Sequence, residues 1–234
     1  MTIERFDPKA GMYQFQIENL ITYLHAHPAG ELIISRKGKF RLTTPLHRYE
    51  NLSYAYIPPN TKHAFHGENS ECTFLMMERD ISNLVHETHH HLPNEEILIT
   101  EDRTFETLVQ EIVHTPPPTS TYGDQRITDC VAFIKEHLSD SSLSRQQLAE
   151  NIPLSPSRLS HLFKEEVGIS ISDFIHWSRL KKAISAYLSD NLSLTQACLE
   201  AGFHDSSHFT RNFKKFFGVK PSFSYNSSIV QVFE

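Results

Sequence analysis

The sequence predicts an α+β protein in two parts, a β-rich N-terminal half followed by an all-α C-terminal half. Three consecutive prolines at 116–118 divide the halves, because they favour an extended backbone and stop a helix that enters from the N-terminal side. Before them, the apolar residues lie in strand-length stretches at 31–35, 39–43, 52–57 and 72–77. After them, the apolar residues recur every three or four positions, as on one face of a helix, beginning with Ile127, Val131, Ile134 and Leu138.

The order of these patterns sets the expected domains. Residues 1–82 are predicted to form the β-rich domain, 115–122 a proline-rich linker and 123–226 the helical domain. Within the β-rich domain, Arg36-Lys37-Gly38 predicts a hairpin between the first two strands. Segment 83–114 is expected to connect the domains through a helix. The apolar stripe of that helix must pack on its own domain or on a second subunit, and the sequence leaves both open.

Composition favours a folded protein of the cytoplasm. The chain is 39% hydrophobic and 21% charged, which is typical of globular proteins. No apolar run approaches the ~18 residues of a membrane span, and the N-terminus lacks a signal-peptide pattern. Cys72, Cys130 and Cys198 lie far apart in the sequence, without metal or redox spacing, which indicates reduced thiols.

Charge alone does not predict nucleic-acid binding. The formal net charge is −6, and residues 1–122 account for it with 10 basic against 16 acidic side chains, whereas 123–234 hold 12 of each. A nucleic-acid-binding domain usually carries a basic excess. Here that excess is local, because within 203–220 only Asp205 opposes four cations, Arg211, Lys214, Lys215 and Lys220.

The helical half repeats itself. Each copy opens with a capping box, Ser144…Gln147 or Ser193…Gln196, and then predicts a short helix, a break and a second helix. This order is typical of a helix-turn-helix, so the sequence predicts two such units in tandem. The alternative is a generic helical bundle in which the repeat reflects packing only. The matching segments are 143–149 with 192–198, 159–164 with 209–214, and Gly168 with Gly218.

A longer helix is predicted between the copies. Ser170 and Asp173 form its cap, and its apolar face runs to about Ser189. Nineteen residues at ~1.5 Å each give a rod of roughly 28 Å. Successive major grooves on one side of DNA lie ~34 Å apart, so such a rod suits two recognition helices in adjacent grooves.

At these positions the chain resembles the AraC/XylS family of bacterial transcription regulators. The resemblance covers roughly 125–225 and is carried by 155–164 with Val167-Gly168, and by 201–214 with 217–221. Gln196 and Cys198 depart from the family pattern, where an acidic residue and an alanine are usual. The resemblance implies double-stranded DNA, RNA polymerase and a second copy of the chain as partners, in the bacterial cytoplasm.

The resemblance also implies which side chains contact DNA. Base readout falls to Ser157, Ser160 and His161 in the first recognition helix, and to Ser207 and Arg211 in the second. Arg211 suits this role because its guanidinium can bond O6 and N7 of guanine together. The phosphate contacts, which give affinity rather than sequence preference, fall to Ser206, Lys164, Lys214 and Lys215.

Two motifs of the β-rich half are similar to those of the cupin superfamily of β-barrels. They are 25–31 with Gly38, and 58–63, in which Asn60 replaces the usual glycine. The resemblance implies a cupin-like barrel whose metal positions are His25, His27, Glu31 and His63, a set that suits zinc, iron, manganese or nickel. His25 and His27 are expected to alternate on a strand and so to share a face. Alternatively, these residues line a pocket for an organic effector.

A second histidine cluster predicts either an exposed polar loop or another metal site; its members are His86, His89, His90 and His91. Taken together, the sequence predicts a dimeric regulator rather than an enzyme, controlled by a small molecule or a metal in the N-terminal barrel. One alternative is a metal-dependent cupin oxygenase or isomerase with a helical appendage. Another is a regulator whose barrel only dimerises.

Overall fold

A computed structural model describes residues 1–78, 97–100, 122–189, 192–221 and 228–229. The chain divides into two compact units, Met1–Pro118 with Phe213–Glu234, and Thr119–Asn212. The helix predicted within 83–114, the linker before Tyr122 and the second histidine cluster lie outside the described residues. None of the described helices has the length and apolar character needed to cross a membrane.

The first unit is built from β-strands in two sheets. The larger sheet has seven strands in the order β10-β1-β2-β8-β3-β6-β9, and the smaller has three in the order β5-β4-β7. Ile33 and Phe74 of the larger sheet share one buried cluster with Phe40 and Phe65 of the smaller, so the sheets enclose a common core. The strands are β1 (Thr2–Asp7), β2 (Met12–Glu18), β3 (Gly30–Lys37), β4 (Phe40–Thr43), β5 (Arg48–Leu52), β6 (Tyr54–Ile57), β7 (Ala64–His66), β8 (Glu71–Met77), β9 (Leu98–Thr100) and β10 (Ser228–Ile229).

The hairpin predicted at Arg36-Lys37-Gly38 is wrong. The chain does turn there, with Gly38 at φ 75°, but β3 and β4 enter different sheets. β3 pairs with β6 along one edge and with β8 along the other, so neither edge is open to the strand that follows it. β4 instead pairs with β5 and β7. The predicted stretch at 52–57 is also divided, between the end of β5 and the whole of β6.

The helical half has the predicted order of helices. Both capping boxes are present, with Ser144 and Gln147 before the first short helix and Ser193 and Gln196 before its repeat. The long connecting helix spans 19 residues, as predicted, and the Asp173 amide donates to Ser170 Oγ at its start (3.1 Å). The helices are α1 (Gln125–Glu136), α2 (Arg145–Asn151), α3 (Pro156–Val167), α4 (Ile171–Ser189), α5 (Leu194–Glu200) and α6 (Ser206–Phe217). The predicted α+β class is confirmed.

The first helix-turn-helix has its own apolar core. Ile127 and Ile134 of α1, Leu148 of α2 and Phe163 of α3 are fully buried in one cluster. Ile127 and Ile134 are among the positions that the three-to-four-residue spacing assigned to a buried face. Burying side chains of this size gains about 1.5–3 kcal/mol each, so this cluster fixes the direction in which the opposite face of α3 points.

Glycine is required in the turn of the second helix-turn-helix. Gly202 has φ 88°, and a Cβ added there would lie 2.4 Å from the carbonyl oxygen of Leu138. Gly168 at the end of α3 has a similar φ of 83° and serves as the matched conformational control.

We expect Gly168→Ala to cost about 1 kcal/mol, for the left-handed backbone alone. Gly202→Ala should cost about 2 kcal/mol, since the backbone clash adds to the same conformational term. Urea unfolding followed by helical circular dichroism measures both. Equal losses would show that the turn accommodates the methyl group.

Candidate functional site

The first recognition helix, α3, presents a polar face opposite its buried one. Ser155 caps it by accepting from the Arg158 amide (3.4 Å), and Pro156 occupies the first turn, where no amide donor is needed. Leu159, Leu162 and Phe163 are buried.

The predicted DNA contacts lie on the other side: Ser157, His161 and Lys164 are exposed, and Ser160 is half-buried. Ser160 Oγ donates to the Pro156 carbonyl (2.8 Å), which leaves its lone pairs to accept from a ligand.

The second recognition helix, α6, has the same arrangement with more positive charge. The Asp205 carboxylate caps it by accepting from the His208 amide (2.6 Å), and this bond lowers the pKa of Asp205. Phe209, Asn212 and Phe216 face inward. The predicted contacts face outward: Ser206 is half-buried, and Ser207, Arg211, Lys214 and Lys215 are exposed. A fork-shaped guanidinium and two ammonium groups therefore share one solvent-facing side of this helix.

His161 and Arg211 occupy equivalent positions of the repeat but differ in chemistry. The His161 ring lies 3.6 Å from the Glu165 carboxylate on the same helix, and both side chains are well exposed. A histidine offers one directed bond from a given nitrogen, whereas arginine can grip both acceptors of guanine. The second helix-turn-helix therefore has the side chain better suited to discriminating a base pair.

An open depression of about 600 Å³ lies where α2 and α3 begin. It is lined by Ser144, Gln146, Pro156, Ser157 and Ser160. Ser157 and Ser160 were predicted from the sequence, but Gln146 and Ser144 were not, because they belong to the helix that precedes the recognition helix. Gln146 lies two residues after the capping Ser144 and is exposed, and this position in the first turn is the signal that could have found it.

In the N-terminal unit, His25, His27 and His63 come together. Each offers a ring nitrogen that lies within 4.8 Å of those of the other two, and all three side chains are buried. Glu31, the fourth predicted residue, joins them, with its Oε2 3.4 Å from His63 Nε2 and 3.6 Å from His27 Nε2. A tetrahedral ion with bonds of ~2.05 Å sets its ligands about 3.3 Å apart, close to these two separations.

The histidines converge by a different route from the one predicted. His25 and His27 do not lie on a strand; the chain at 19–29 is irregular. His25 instead forms an isolated antiparallel bridge with His63, through two backbone hydrogen bonds of 2.9 Å. The Asn60 amide donates to the His27 carbonyl (2.8 Å), and Asn60 adopts the left-handed conformation (φ 64°) that asparagine tolerates. These bonds hold the two motifs together.

The outer ring nitrogens fix which nitrogen faces inward. Nδ1 of His25, His27 and His63 lies 2.8, 2.8 and 2.9 Å from the carbonyl oxygens of Tyr23, Ala29 and Thr61. A carbonyl only accepts, so each Nδ1 carries the proton and each neutral ring turns a lone pair on Nε2 inward. Backbone carbonyls orient metal-binding histidines in the same way.

The inward-facing atoms lack donors among themselves. His27 Nε2 and His63 Nε2 are buried without a hydrogen-bond partner. The pKa of His25 is lowered to about 3, mainly because the ring is buried and secondarily because His63 and His27 lie beside it. Burial raises the pKa of Glu31, and positive charge at His27 and His63 lowers it by more, so the carboxylate is ionised when a cation, a proton on these rings or a metal ion, lies beside it. Three lone pairs and one negative charge then face a common centre, and a cation satisfies all four. The residues fit a divalent transition metal.

The fold and these two sites define a tandem helix-turn-helix protein with a sheet-rich N-terminal domain. A family model described as a helix-turn-helix domain matches residues 148–223. The arabinose operon regulatory protein of Salmonella typhimurium is 33% identical over 115 residues, which cover 49% of this chain and 39% of that protein. The Escherichia coli protein of the same description is 32% identical over 114 residues, covering 49% and 37%. The chain thus spans about two fifths of the length of these curated relatives.

Solved structures extend the likeness to the N-terminal half. An apo lysine-to-alanine variant of ToxT from Vibrio cholerae has a TM-score of 0.58 and 12% identity, covering 91% of this chain and 96% of that one. At this identity the likeness concerns the fold, which has the same sheet-rich and helical parts. The predicted resemblance is confirmed for the C-terminal half, where residues 148–223 match a helix-turn-helix domain and 115 residues are similar to an arabinose operon regulatory protein.

Proposed function

We propose that the protein is a sequence-specific DNA-binding transcription regulator of the AraC type, controlled by a metal or small molecule in its N-terminal domain. The observation that carries this proposal is the duplicated polar face. Two capped helices at equivalent positions of a repeat each expose hydroxyl, imidazole or guanidinium groups over a buried apolar side. The matched relatives, by their names, are regulators of an operon.

We assign base readout to Ser157, Ser160 and His161 on α3 and to Ser207 and Arg211 on α6. Their side chains are short or fork-shaped and lie toward the first half of each helix, the part that reaches base edges in helix-turn-helix proteins. Lys164, Lys214 and Lys215 follow later on the same faces and suit phosphates, as does the Ser206 hydroxyl at the first turn of α6. A homodimer would add a second DNA site and hence avidity, and RNA polymerase is the partner through which such a regulator acts.

For the N-terminal domain we propose one divalent transition metal, zinc, iron, manganese or nickel, held by His25, His27, Glu31 and His63. The support is the set of Nε2 lone pairs, oriented by backbone carbonyls, and the Glu31 carboxylate that lies beside two of them. The same four groups leave coordination positions for a small anionic or neutral effector when the ion takes five or six ligands. A protein that turns over a substrate with bound metal, and retains no specific DNA, would instead be the cupin enzyme.

Selection from a random DNA library tests the central proposal. Full-length protein should enrich fragments that share a motif of two subsites about one helical turn, ~10 base pairs, apart. Sequencing of the bound and unbound pools gives the motif. Because phosphate contacts alone give sequence-independent binding, retention of DNA without any enriched motif would contradict a specific regulator.

A further inference from the structure

Arg179 is a buried cation in the middle of the helix that joins the two helix-turn-helix units. It is only 3% exposed, and Trp177 and Leu180 beside it on α4 are buried as well. Taking a guanidinium out of water is costly unless its donors are bonded, so an arginine here needs specific acceptors. Leucine would fill a buried helix position of this kind without any need for acceptors.

The acceptors belong to the α1–α2 turn, which leads into the first helix-turn-helix. Arg179 Nε donates to the Leu138 carbonyl (3.0 Å), and Nη2 donates to the Asp140 carbonyl (2.6 Å). The Asp140 carbonyl also accepts from the Leu143 amide (3.1 Å), directly before the cap of α2. One edge of a rigid planar group thus holds two carbonyls of the α1–α2 turn in a fixed direction relative to α4.

The turn of the second helix-turn-helix lies next to the same Leu138 carbonyl. Gly202, in the turn between α5 and α6, lies so close that a Cβ on it would be 2.4 Å from the Leu138 carbonyl oxygen and 2.9 Å from Arg179 Nε. Leu138, Arg179 and Gly202 therefore form a junction, which we call the Arg179 junction, where the α1–α2 turn and the α5–α6 turn both contact the joining helix. Lys182, one turn further along α4, reaches only Ser139 Oγ (2.5 Å) and is exposed.

We propose that Arg179 is a positioning residue that sets the separation of the two recognition helices and hence the spacing between the two DNA subsites. It does so without touching DNA, by holding the α1–α2 turn against the α5–α6 turn. This inference rests on the proposed DNA binding. The Arg179 junction is then the contact that keeps the two recognition helices at one fixed distance. The helix α4 alone would fix that distance only if both helix-turn-helix units were rigidly attached to it.

The first test measures the separation without DNA. Spin labels on Ser157→Cys and Ser207→Cys in the full-length protein report the distance between α3 and α6, and the native cysteines Cys72, Cys130 and Cys198 are buried. We expect one narrow distance distribution with Arg179, a broader one with Arg179→Lys, and no change with Lys182→Met. A broad distribution in the protein with native Arg179 overturns the inference before any variant is considered.

The second test uses DNA selected by the native protein, with the spacing between subsites changed by one base pair in either direction. For Arg179→Lys we expect about tenfold weaker binding to the native spacing, a smaller penalty for the altered spacings, and nearly unchanged binding when either subsite is scrambled. Lys182→Met should keep the native spacing preference. Arg179→Gln replaces the lysine variant if circular dichroism shows that the latter is unfolded.

The outcomes separate the two proposals. A uniform loss of affinity on all sites, with a narrow label distance, shows that Arg179 only stabilises the fold and overturns its positioning role. Failure of the native protein to select any bipartite motif refutes the proposed function, while the label distances still decide whether Arg179 fixes the separation.

Discussion

Replacing Arg211 with alanine is expected to weaken binding to the selected DNA site by about 5- to 150-fold, the equivalent of 1–3 kcal/mol. Arg211 is exposed on α6, and its guanidinium has the geometry to bond O6 and N7 of one guanine. Alanine removes both bonds and leaves those acceptors unsatisfied at the interface, whereas random DNA offers no matched guanine to lose. Titration of the protein onto selected and random fragments at one fixed salt concentration measures the two affinities.

Lys215→Ala is the matched control for Arg211→Ala. Lys215 is an exposed cation on the same helix, which we assign to a phosphate. Its loss should weaken binding to both DNAs alike and reduce the salt dependence by about one counterion. Loss of base preference at one position of the motif should follow Arg211→Ala alone. If Arg211→Ala behaves as Lys215→Ala does, Arg211 is a phosphate contact and the assigned readout is wrong.

The helical half could be predicted closely because its signals are local. A capping box spans four residues that hydrogen-bond to one another. Ser144 with Gln147 therefore predicts the start of α2 without knowledge of the rest of the chain. The same holds for Ser193 with Gln196 before α5. The spacing of apolar residues then fixes which side of α3 and α6 is buried, and the polar remainder is the candidate DNA surface.

The sheets could be predicted less well because strand pairing is not local. The turn at Gly38 reads the same whether the next strand pairs back or crosses to another sheet. What decides is that β6 and β8, from later in the chain, occupy both edges of β3. Short strands such as β7 carry too few residues to show a period. The apolar and polar residues of β2 do alternate from Tyr13 to Glu18, which is a local strand signal, whereas those of β1 do not.

The metal residues lie between these cases. The motif identifies the four residues, but the strand alternation expected to bring them together is wrong. Strand alternation would have turned His25 and His27 to one side, whereas the structure relies on a backbone bridge between His25 and His63. The Arg179 junction, by contrast, had no sequence signal, because its acceptors are backbone carbonyls that any residues could supply.

The metal proposal makes a prediction with an all-or-none result. Full-length protein purified without chelators should retain about one equivalent of zinc, iron, manganese or nickel, and His27→Ala should retain almost none. Removing the His27 imidazole leaves two imidazoles and the Glu31 carboxylate around the centre. The lost ring is one of the two that lie within 3.6 Å of that carboxylate. His66→Ala is the matched control, since His66 lies in the same sheet-rich unit, is partly exposed and pairs with Glu68 instead.

Elemental analysis measures the retained metal, and cobalt(II) titration followed by visible absorption reports binding independently of any activity. A chelator should lower the melting temperature of the native protein and of His66→Ala, but not that of His27→Ala, because an ion that binds only the folded state adds to its stability. The DNA affinity of intact His27→Ala then separates two roles: a large change marks a metal-linked sensor, and no change marks a structural ion. A folded, metal-free protein that takes up none of the four metals would contradict the site and leave His25, His27, Glu31 and His63 as the lining of an organic-effector pocket.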